Sequence, residues 1–239
     1  MIESPQNEKL RLVRKLRERK HREREGLFTT EGEDLLKAGL DSGAEPRFVL
    51  VAADSGLAGI EVEPGLLTEA STLESGTRVI AVWPSVTVER PIAPCVYLHG
   101  VGDPGNVGTI IRSVNALIGT TVVLGPECAD PFSPRAARAS MGSVVSRPPM
   151  WAGLEETPRP RVAMVAHDGE GLDSLAGAAT ICLGAERDGL PDEVIAACDR
   201  RVTIPLREGG PESLNVAAAA AIAAQRISSL AMQETGPDA

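Results

Sequence analysis

The apolar positions of this chain fall into two alternating patterns. Short apolar runs at residues 48–52, 95–98 and 181–183 predict β-strands. In other stretches, such as residues 33–40, apolar residues recur every three or four positions and predict helices. Strands that alternate with helices are typical of α/β domains, so the sequence predicts an α/β fold.

The first part of the chain predicts a small α/β domain. Residues 5–25 predict a single helix in which Leu10, Val13 and Leu16 form a narrow apolar stripe among many Arg and Lys side chains. The same composition suits a solvated surface helix or a phosphate-binding arm, and both interpretations stay open. Beyond this helix the predicted strands cover residues 27–30, 48–52 and 78–82, and the predicted helices cover residues 33–40 and 64–73.

Prolines mark the expected domain boundary. Pro84, Pro91 and Pro94 lie close together and favour a stiff, extended connector. We therefore predict a first domain at residues 1–84, a linker at 85–93 and a second domain at 94–239.

The most informative stretch of the second domain is residues 181–225. A strand at 181–183 ends at Gly184, a helix follows Pro191, and a second strand is predicted at 202–206, before a Gly-Gly-Pro loop and an alanine-rich helix. In a parallel sheet, the ligand usually binds in the crevice beside the carboxyl ends of the strands. The loops at these strand ends carry small or polar residues: Glu186, Gly189, Gly209, Gly210, Ser213 and Asn215.

Composition narrows the classes of function. The chain has 239 residues, of which 43% are hydrophobic, enough to form a packed core. Only 3% are aromatic, so few side chains could stack on nucleic-acid bases. The net charge is −9, yet residues 1–25 hold nine Lys or Arg against five Asp or Glu. Because phosphate binding depends on local basic patches, the overall acidity does not exclude RNA.

The cysteines and histidines lack the spacing of metal ligands. Cysteines occur singly, at positions 95, 128, 182 and 198, and are expected to be reduced packing residues. The histidines are far apart, so no metal site is expected. Without a signal peptide or a long apolar run, the expected location is the cytoplasm, with no membrane contact.

A glycine-rich loop offers one reading of the second domain. Gly100, Gly102 and Gly105 form a literal G-x-G-x-x-G between a strand and a helix, and Glu127 follows the next strand. This pattern is typical of dinucleotide-binding folds and leaves an NAD-dependent oxidoreductase open as an alternative. The Asp-Pro pair before the third glycine changes the loop where a pyrophosphate would need free amides.

Arginines near that loop suggest a different chemistry. Gly105, Gly108 and Arg112 share one face of the predicted helix, where a phosphate or a close-packed neighbour fits. Arg135 and Arg138 lie on a second short helix and are either phosphate ligands or solvated side chains.

Three stretches resemble the signature motifs of the SpoU (TrmH-type) family of RNA 2′-O-ribose methyltransferases, within the SPOUT superfamily. They are residues 106–112 (NVGTIIR), residues 183–191 (LGAERDGLP), and residues 204–206 together with 213–216 (IPL and SLNV). Residues 131–142 resemble a further loop of that family, and residues 5–80 resemble its N-terminal substrate-binding domain, of ribosomal-protein L30-like shape.

The resemblance implies a fold and a cofactor. The C-terminal domain would be a SPOUT α/β domain with a parallel sheet and a deep trefoil knot, an exception to the rule against knotted chains. The active form would be a homodimer with its sites at the dimer interface, where residues 217–221 suit close helix approach as well as they suit a core helix. S-adenosylmethionine would lie in the knot, against Leu183, Gly184, Glu186, Gly189, Ile204, Leu206, Ser213 and Leu214.

The resemblance also implies catalytic roles. Arg112 would help to remove the proton of a ribose 2′-hydroxyl or stabilise the developing oxyanion, without a metal. Asn106, Glu186, Ser213 and Asn215 would orient Arg112 and the ribose, although Glu186 as a structural residue remains an alternative. The substrate would be RNA, ribosomal RNA in preference to tRNA, held by Arg112, Arg135, Arg138 and Ser140. A non-catalytic RNA-binding or ribosome-assembly protein remains a further alternative.

Overall fold

The structure, a computed structural model, describes residues 1–235. The chain divides into two compact units. The first unit consists of Met1–Val86 and Asp130–Ser146, and the second of Thr87–Ala129 and Arg147–Ala239. The predicted division at residues 85–93 did not include the excursion of residues 130–146 into the first unit.

The helices and strands follow the predicted alternation. Up to residue 86 they are α1 (Glu8–Lys15), α2 (Arg19–Glu25), β1 (Leu27–Glu31), α3 (Glu33–Asp41), β2 (Phe48–Ala52), β3 (Ile60–Val62), α4 (Pro64–Ala70) and β4 (Val79–Pro84). After it they are β5 (Cys95–Leu98), α5 (Pro104–Ile118), β6 (Val122–Leu124), α6 (Pro134–Ala139), α7 (Ser143–Ser146), β7 (Met150–Trp151), β8 (Arg161–Met164), β9 (Thr180–Leu183), α8 (Asp192–Ala196), β10 (Arg200–Val202) and α9 (Val216–Thr235). The short strands β3 and β7 were not predicted from the sequence.

The first unit is built on a four-stranded sheet in the order β1-β4-β2-β3. Strand β4 runs antiparallel to both of its neighbours, whereas β2 and β3 are parallel. The apolar stripe Leu10, Val13 and Leu16 is buried in a core cluster together with residues of this sheet, so the first helix attaches by its apolar edge.

The single helix predicted for residues 5–25 is wrong, because the structure has α1 and α2 with a break between them. Arg22 of α2 explains the break. Its Nη1 donates to the carbonyl oxygens of Leu16 and Arg17, each at 2.8 Å. The carbonyl groups at the end of α1 are therefore satisfied by a side chain instead of by further helical turns.

The same arginine holds the excursion of residues 130–146. Nη2 and Nε of Arg22 lie 2.6 and 2.9 Å from Oδ2 of Asp130; the arginine is buried and the aspartate is partly buried. Phe132 packs on Phe28 of β1, with ring centroids 4.9 Å apart. A partly buried ion pair and an aromatic contact therefore tie this segment to the first unit.

The second unit contains a parallel six-stranded sheet in the order β10-β8-β9-β5-β6-β7. Helices α5 and α9 pack together, and Ala217, Ala220 and Ala223 lie in the same buried cluster as Val107 and Ile110 of α5. Small side chains let the two helices approach closely, so these alanines serve the core of their own unit. Within the described residues, no helix is long and apolar enough to cross a membrane.

The strand predicted at residues 202–206 is wrong in its extent. Strand β10 pairs with β8 through Val202 opposite Met164, and β8 ends there. Residues beyond Val202 have no neighbouring strand, and Pro205 lacks the N–H that a ladder needs. Residues 203–215 therefore form a long loop.

Candidate active site

A cavity of about 310 Å³ lies in the second unit at the carboxyl ends of β8 and β9. This is the end of a parallel sheet where ligands usually bind. Eight of its lining residues are those named in the sequence analysis for the cofactor: Leu183, Gly184, Glu186, Gly189, Ile204, Leu206, Ser213 and Leu214.

Other lining residues were not anticipated. Met164, Val165 and Ala166 come from the end of β8, and Ile195 comes from α8. The signal for the β8 residues was present in the sequence, because the end of every parallel strand near the crevice is a candidate. Ile195 gave no such signal, since an apolar residue in a short helix predicts only burial.

A tight hairpin loop, residues 185–189, forms one side of the cavity. Ala185 and Gly189 exchange two backbone hydrogen bonds of 3.0 Å, and Gly189 has a φ of +68°. A left-handed residue at the end of a three-residue turn is a common hairpin geometry, and glycine adopts it without strain. At Gly184 a Cβ atom would lie only 2.0–2.2 Å from backbone atoms of Gly189 and Leu190, so only glycine fits there.

A row of polar side chains connects this hairpin loop to the starts of α5 and α9. Asn106 donates from Nδ2 to Oε1 of Glu186 at 2.6 Å, and Asn215 donates from Nδ2 to Oδ1 of Asn106 at 3.1 Å. Oδ1 of Asn215 accepts from the backbone N–H of Ala217 at 2.9 Å. Three side chains that the sequence places far apart are thus brought together, and Asn215 also caps α9.

The long loop, residues 203–215, borders the cavity elsewhere. In the described part of the chain, the backbone hydrogen bond from Gly210 N to Arg207 O is the only one that involves residues 204–214. Leu206 and Leu214 are each 39% exposed although they line the cavity, and the hydroxyl of Ser213 has no partner among the described residues. Backbone and hydroxyl groups of this loop are therefore available to a ligand.

Arg112 is exposed on α5, two turns beyond Asn106. Its guanidinium has no hydrogen-bond or ion-pair partner in the part of the chain that the structure describes. Arg112 does not line the cavity, and Gly108 on the same face is buried. The side chain is thus a cation that is free to bind an anionic group brought from outside the unit.

Arg135, Arg138 and Ser140 belong to the first unit. The two arginine side chains are exposed. Ser140 is fully buried, and its Oγ donates to the carbonyl of Ala137 at 2.7 Å and accepts from Val144 N at 3.4 Å. Its hydroxyl is therefore used inside the unit, and contact with a substrate remains a prediction.

The G-x-G-x-x-G loop serves to start α5. Asp103 caps this helix, because its Oδ1 accepts from Asn106 N at 3.0 Å. A carboxylate thus occupies the helix N-terminus, where a dinucleotide would place its pyrophosphate. None of the three glycines, Gly100, Gly102 and Gly105, lines the cavity. A separate observation concerns metals: the described residues contain no group of His, Cys, Asp or Glu arranged to hold a metal ion.

Comparison with known families decides the class of this protein. Residues 93–225, more than half of the chain, match the SpoU rRNA Methylase family model. The chain belongs to the SpoU rRNA methylase family. Residues 7–89 match the MRM3-like substrate binding domain. The residues matched to the SpoU model include the hairpin loop, the long loop, Arg112 and the polar row. Because the whole candidate site belongs to this family, the oxidoreductase alternative loses its support.

Similar proteins of known name act on ribosomal RNA. The 23S rRNA (guanosine(2553)-2′-O)-methyltransferase RlmP of Bacillus subtilis is 29% identical over 240 residues, with 92% of this chain and 96% of the relative covered. The 23S rRNA (uridine(2479)-2′-O)-methyltransferase of Streptomyces viridochromogenes is 30% identical over 133 residues, which cover 49% of this chain and 46% of the relative.

A solved member of the same fold class carries a cofactor. The structure of an AdoMet-bound rRNA methyltransferase from Sinorhizobium meliloti superposes with a TM-score of 0.81. It is 25% identical, and the match covers 94% of this chain and 95% of that one. The likeness spans both units and supports the SPOUT fold inferred from the motifs.

Proposed function

We propose that this SpoU-family protein is an S-adenosylmethionine-dependent methyltransferase that methylates a ribose 2′-hydroxyl of ribosomal RNA. The observation that carries the proposal is the cavity lined by eight predicted cofactor residues, beside the Asn106–Glu186–Asn215 row. The printed activities of the Bacillus and Streptomyces relatives support the reaction, and the bound AdoMet in the Sinorhizobium structure supports the cofactor.

The cavity fits S-adenosylmethionine in size and chemistry. Its volume of about 310 Å³ lies within the range of small-molecule sites, and apolar side chains such as Leu183 and Ile204 line it. Backbone groups of Ile204, Leu206 and Leu214 have no partner within the described chain and would bind the polar edges of the molecule. When bound, S-adenosylmethionine supplies an activated methyl group.

Arg112 is the residue assigned to the ribose hydroxyl. An arginine stays positively charged at neutral pH and presents several N–H groups in a fixed plane. Beside a 2′-hydroxyl it would stabilise the oxyanion that develops as the proton leaves, and it would also hold the neighbouring phosphate. Asn106 and Glu186 would fix the position of α5 against the hairpin loop, and the free hydroxyl of Ser213 would orient the ribose.

The first unit would bind the RNA. Its match to a substrate-binding domain, its basic helices and the exposed Arg135 and Arg138 suit contact with phosphates. Because aromatic residues are only 3% of the chain, recognition would rely on shape and phosphate contacts. The homodimer and the trefoil threading of residues 181–225 are further parts of this proposal.

Calorimetric titration with S-adenosylmethionine and, in parallel, NADH tests the cofactor. Saturable binding of S-adenosylmethionine alone is expected. Binding of NADH alone would contradict the proposal and return the G-x-G-x-x-G loop as the cofactor site. Binding of neither ligand, with or without ribosomal RNA, would also contradict it.

The role of Arg112 is tested by its replacement. Arg112→Ala and Arg112→Lys are expected to bind S-adenosylmethionine as the unmodified protein does, and to lose methyl transfer by a factor of about 100–1,000. Arg201→Ala removes another exposed arginine of the same unit and is expected to retain activity. Full activity of Arg112→Ala would remove Arg112 from the mechanism.

A further inference from the structure

Two of the cysteines that the sequence analysis assigned to packing are in contact. Sγ of Cys198 lies 3.7 Å from Sγ of Cys182, and no disulfide joins them. Cys182 lies in β9, directly before the cavity residue Leu183, and Cys198 follows α8. The two thiols are therefore carried by segments on either side of the hairpin loop along the chain, one by the strand before it and the other by the turn that follows α8.

The two thiols have different surroundings. Cys182 is fully buried, whereas Cys198 is partly exposed and lines a separate surface cavity of about 320 Å³. The charged residues that line this cavity are of both signs: Arg200, Arg201, Asp168, Glu170 and Asp199. The hydrogen bond with Cys182 and the nearby charge of Arg161 lower the pKa of Cys198, against the opposing effects of burial and of Asp199. The same hydrogen bond, together with burial, raises the pKa of Cys182. Cys198 is thus the more accessible thiol of the pair and the one whose pKa is lowered, so it is the candidate for the first oxidation step.

We propose that Cys198 and Cys182 form a peroxide-sensitive pair that closes reversibly to a disulfide. The Cys198 thiolate attacks one oxygen of a hydroperoxide, the O–O bond breaks, and a sulfenic acid forms as water or an alcohol leaves. The Cys182 thiol then gives up its proton and attacks the sulfenic sulfur, the S–O bond breaks, and a water leaves. The two thiols lose two electrons in total, and a small-molecule dithiol restores them.

Closure would act on the cofactor cavity, a consequence that rests on the proposed function. A disulfide requires the two sulfurs to approach from 3.7 Å to about 2.05 Å, and we expect this approach to draw β9 and the turn after α8 together. Ile195 of α8 and Leu183 after Cys182 both line the cavity. The oxidised protein is therefore expected to bind S-adenosylmethionine more weakly than the reduced protein.

The other two cysteines provide matched controls within the same unit. Cys95 is buried against Oγ1 of Thr180 at 3.3 Å, and the thiol of Cys128 donates to the carbonyl of Leu98 at 3.4 Å. Burial raises the pKa of both thiols. Neither has a sulfur contact among the described residues, so neither is expected to form a disulfide at low peroxide concentrations.

Peptide mapping tests the pair independently of any enzymatic activity. The full-length protein is treated with hydrogen peroxide, alkylated and digested with trypsin, which places Cys182 in residues 162–187 and Cys198 in residues 188–200. The two peptides are expected to be linked, to separate after dithiothreitol, and to remain unlinked in Cys198→Ser. Cys128→Ser is expected to link normally. Peptides that stay unlinked, or oxidation that is unchanged in Cys198→Ser, would overturn the proposal.

Titration with S-adenosylmethionine tests the consequence for the cavity. Oxidised protein is expected to bind at least about threefold more weakly, with recovery after dithiothreitol and no peroxide effect in Cys198→Ser. Equal affinity of oxidised and reduced protein would overturn the link to the cavity. If the reduced protein fails to bind, the proposed function fails, while the peptide map still decides whether the disulfide forms.

Discussion

The two loops that border the cavity differ in how firmly they are held. The hairpin loop, residues 185–189, has two backbone hydrogen bonds across its base, a glycine packed against its backbone and a glutamate bound by Asn106. The long loop, residues 203–215, has a single backbone hydrogen bond within residues 204–214 and largely exposed side chains. The hairpin side of the cavity is therefore ordered before a ligand binds. On the side of the long loop, backbone groups without hydrogen-bond partners are available to bind the ligand.

We expect the two loops to contribute to ligand binding in different ways. A rigid side gives a binding site its geometry, because few side-chain rotamers have to be ordered on binding. A loosely held side allows entry and then contributes hydrogen bonds that form only with the ligand.

Gly184→Ala should disrupt the rigid side. Its Cβ would overlap backbone atoms of the hairpin loop, so we expect a loss of about 1–3 kcal/mol in the free energy of unfolding. We expect the affinity for S-adenosylmethionine to fall about 100-fold as the loop is displaced. Calorimetry and thermal melting measure the two effects. Gly171→Ala, where a Cβ meets no atom within 4 Å, is the control, and equal affinities of the two variants would show that the hairpin loop is not rigid.

Limited trypsin digestion compares the two loops directly. Arg187 and Arg207 are both exposed and both followed by an acidic residue, so they are matched cleavage sites. Cleavage after Arg207 is expected to be at least about tenfold faster, and S-adenosylmethionine is expected to slow it. Mass spectrometry of the fragments over time measures both rates. Equal rates at the two sites would contradict the contrast.

Asn106→Ala should loosen the hairpin loop without removing it. The hydrogen bond from Asn106 to Glu186 is solvent-exposed, so its net contribution is about 0.5–1.5 kcal/mol. We expect S-adenosylmethionine to bind about three- to tenfold more weakly. Glu186→Ala, which removes the acceptor, and the double variant complete a thermodynamic cycle. Additive losses in that cycle would show that the two side chains do not act together.

Leu206→Ala should change binding more than stability. Leu206 lies in the long loop and is 39% exposed, so we expect the free energy of unfolding to change by less than about 0.5 kcal/mol. We expect the affinity for S-adenosylmethionine to fall about threefold, since apolar contact in the cavity is lost. Chemical denaturation and calorimetry measure the two quantities. Leu40→Ala, an exposed leucine of the first unit, is the control, and a similar loss of affinity there would contradict the assignment.

The sequence pattern predicted the α/β fold, and the family resemblance named the eight residues found to line the cavity, but the ends of several elements were wrong. Strand ends could be located because apolar runs stop at Gly184 and glycine loops follow. The break between α1 and α2 could not, since it depends on Arg22 bonding the carbonyls of Leu16 and Arg17 while its other nitrogens bind Asp130, 108 positions away in sequence. The extent of β10 depends on where β8 ends, which is also a property of the pairing and not of the local sequence.

The polar row shows the same limit at the site. The roles of Asn106, Glu186 and Asn215 came from a family resemblance, and spacing alone does not predict that the three side chains contact each other. The contact between Cys182 and Cys198 was missed because the residues are 16 positions apart and follow no recognised motif. Contacts between side chains at loop ends depend on the angle at which each chain leaves the sheet, and local patterns carry no information about that angle.

The most direct test of the account is the chemical identity of the methylated product. Protein-free ribosomal RNA and assembled subunits are incubated with the full-length protein and methyl-labelled S-adenosylmethionine, digested to nucleosides and separated by mass spectrometry. The proposed reaction places the label in a 2′-O-methylated nucleoside, and we expect no label with Arg112→Ala. Label on a base instead of a ribose, or no label in either RNA from protein that binds S-adenosylmethionine, would contradict it.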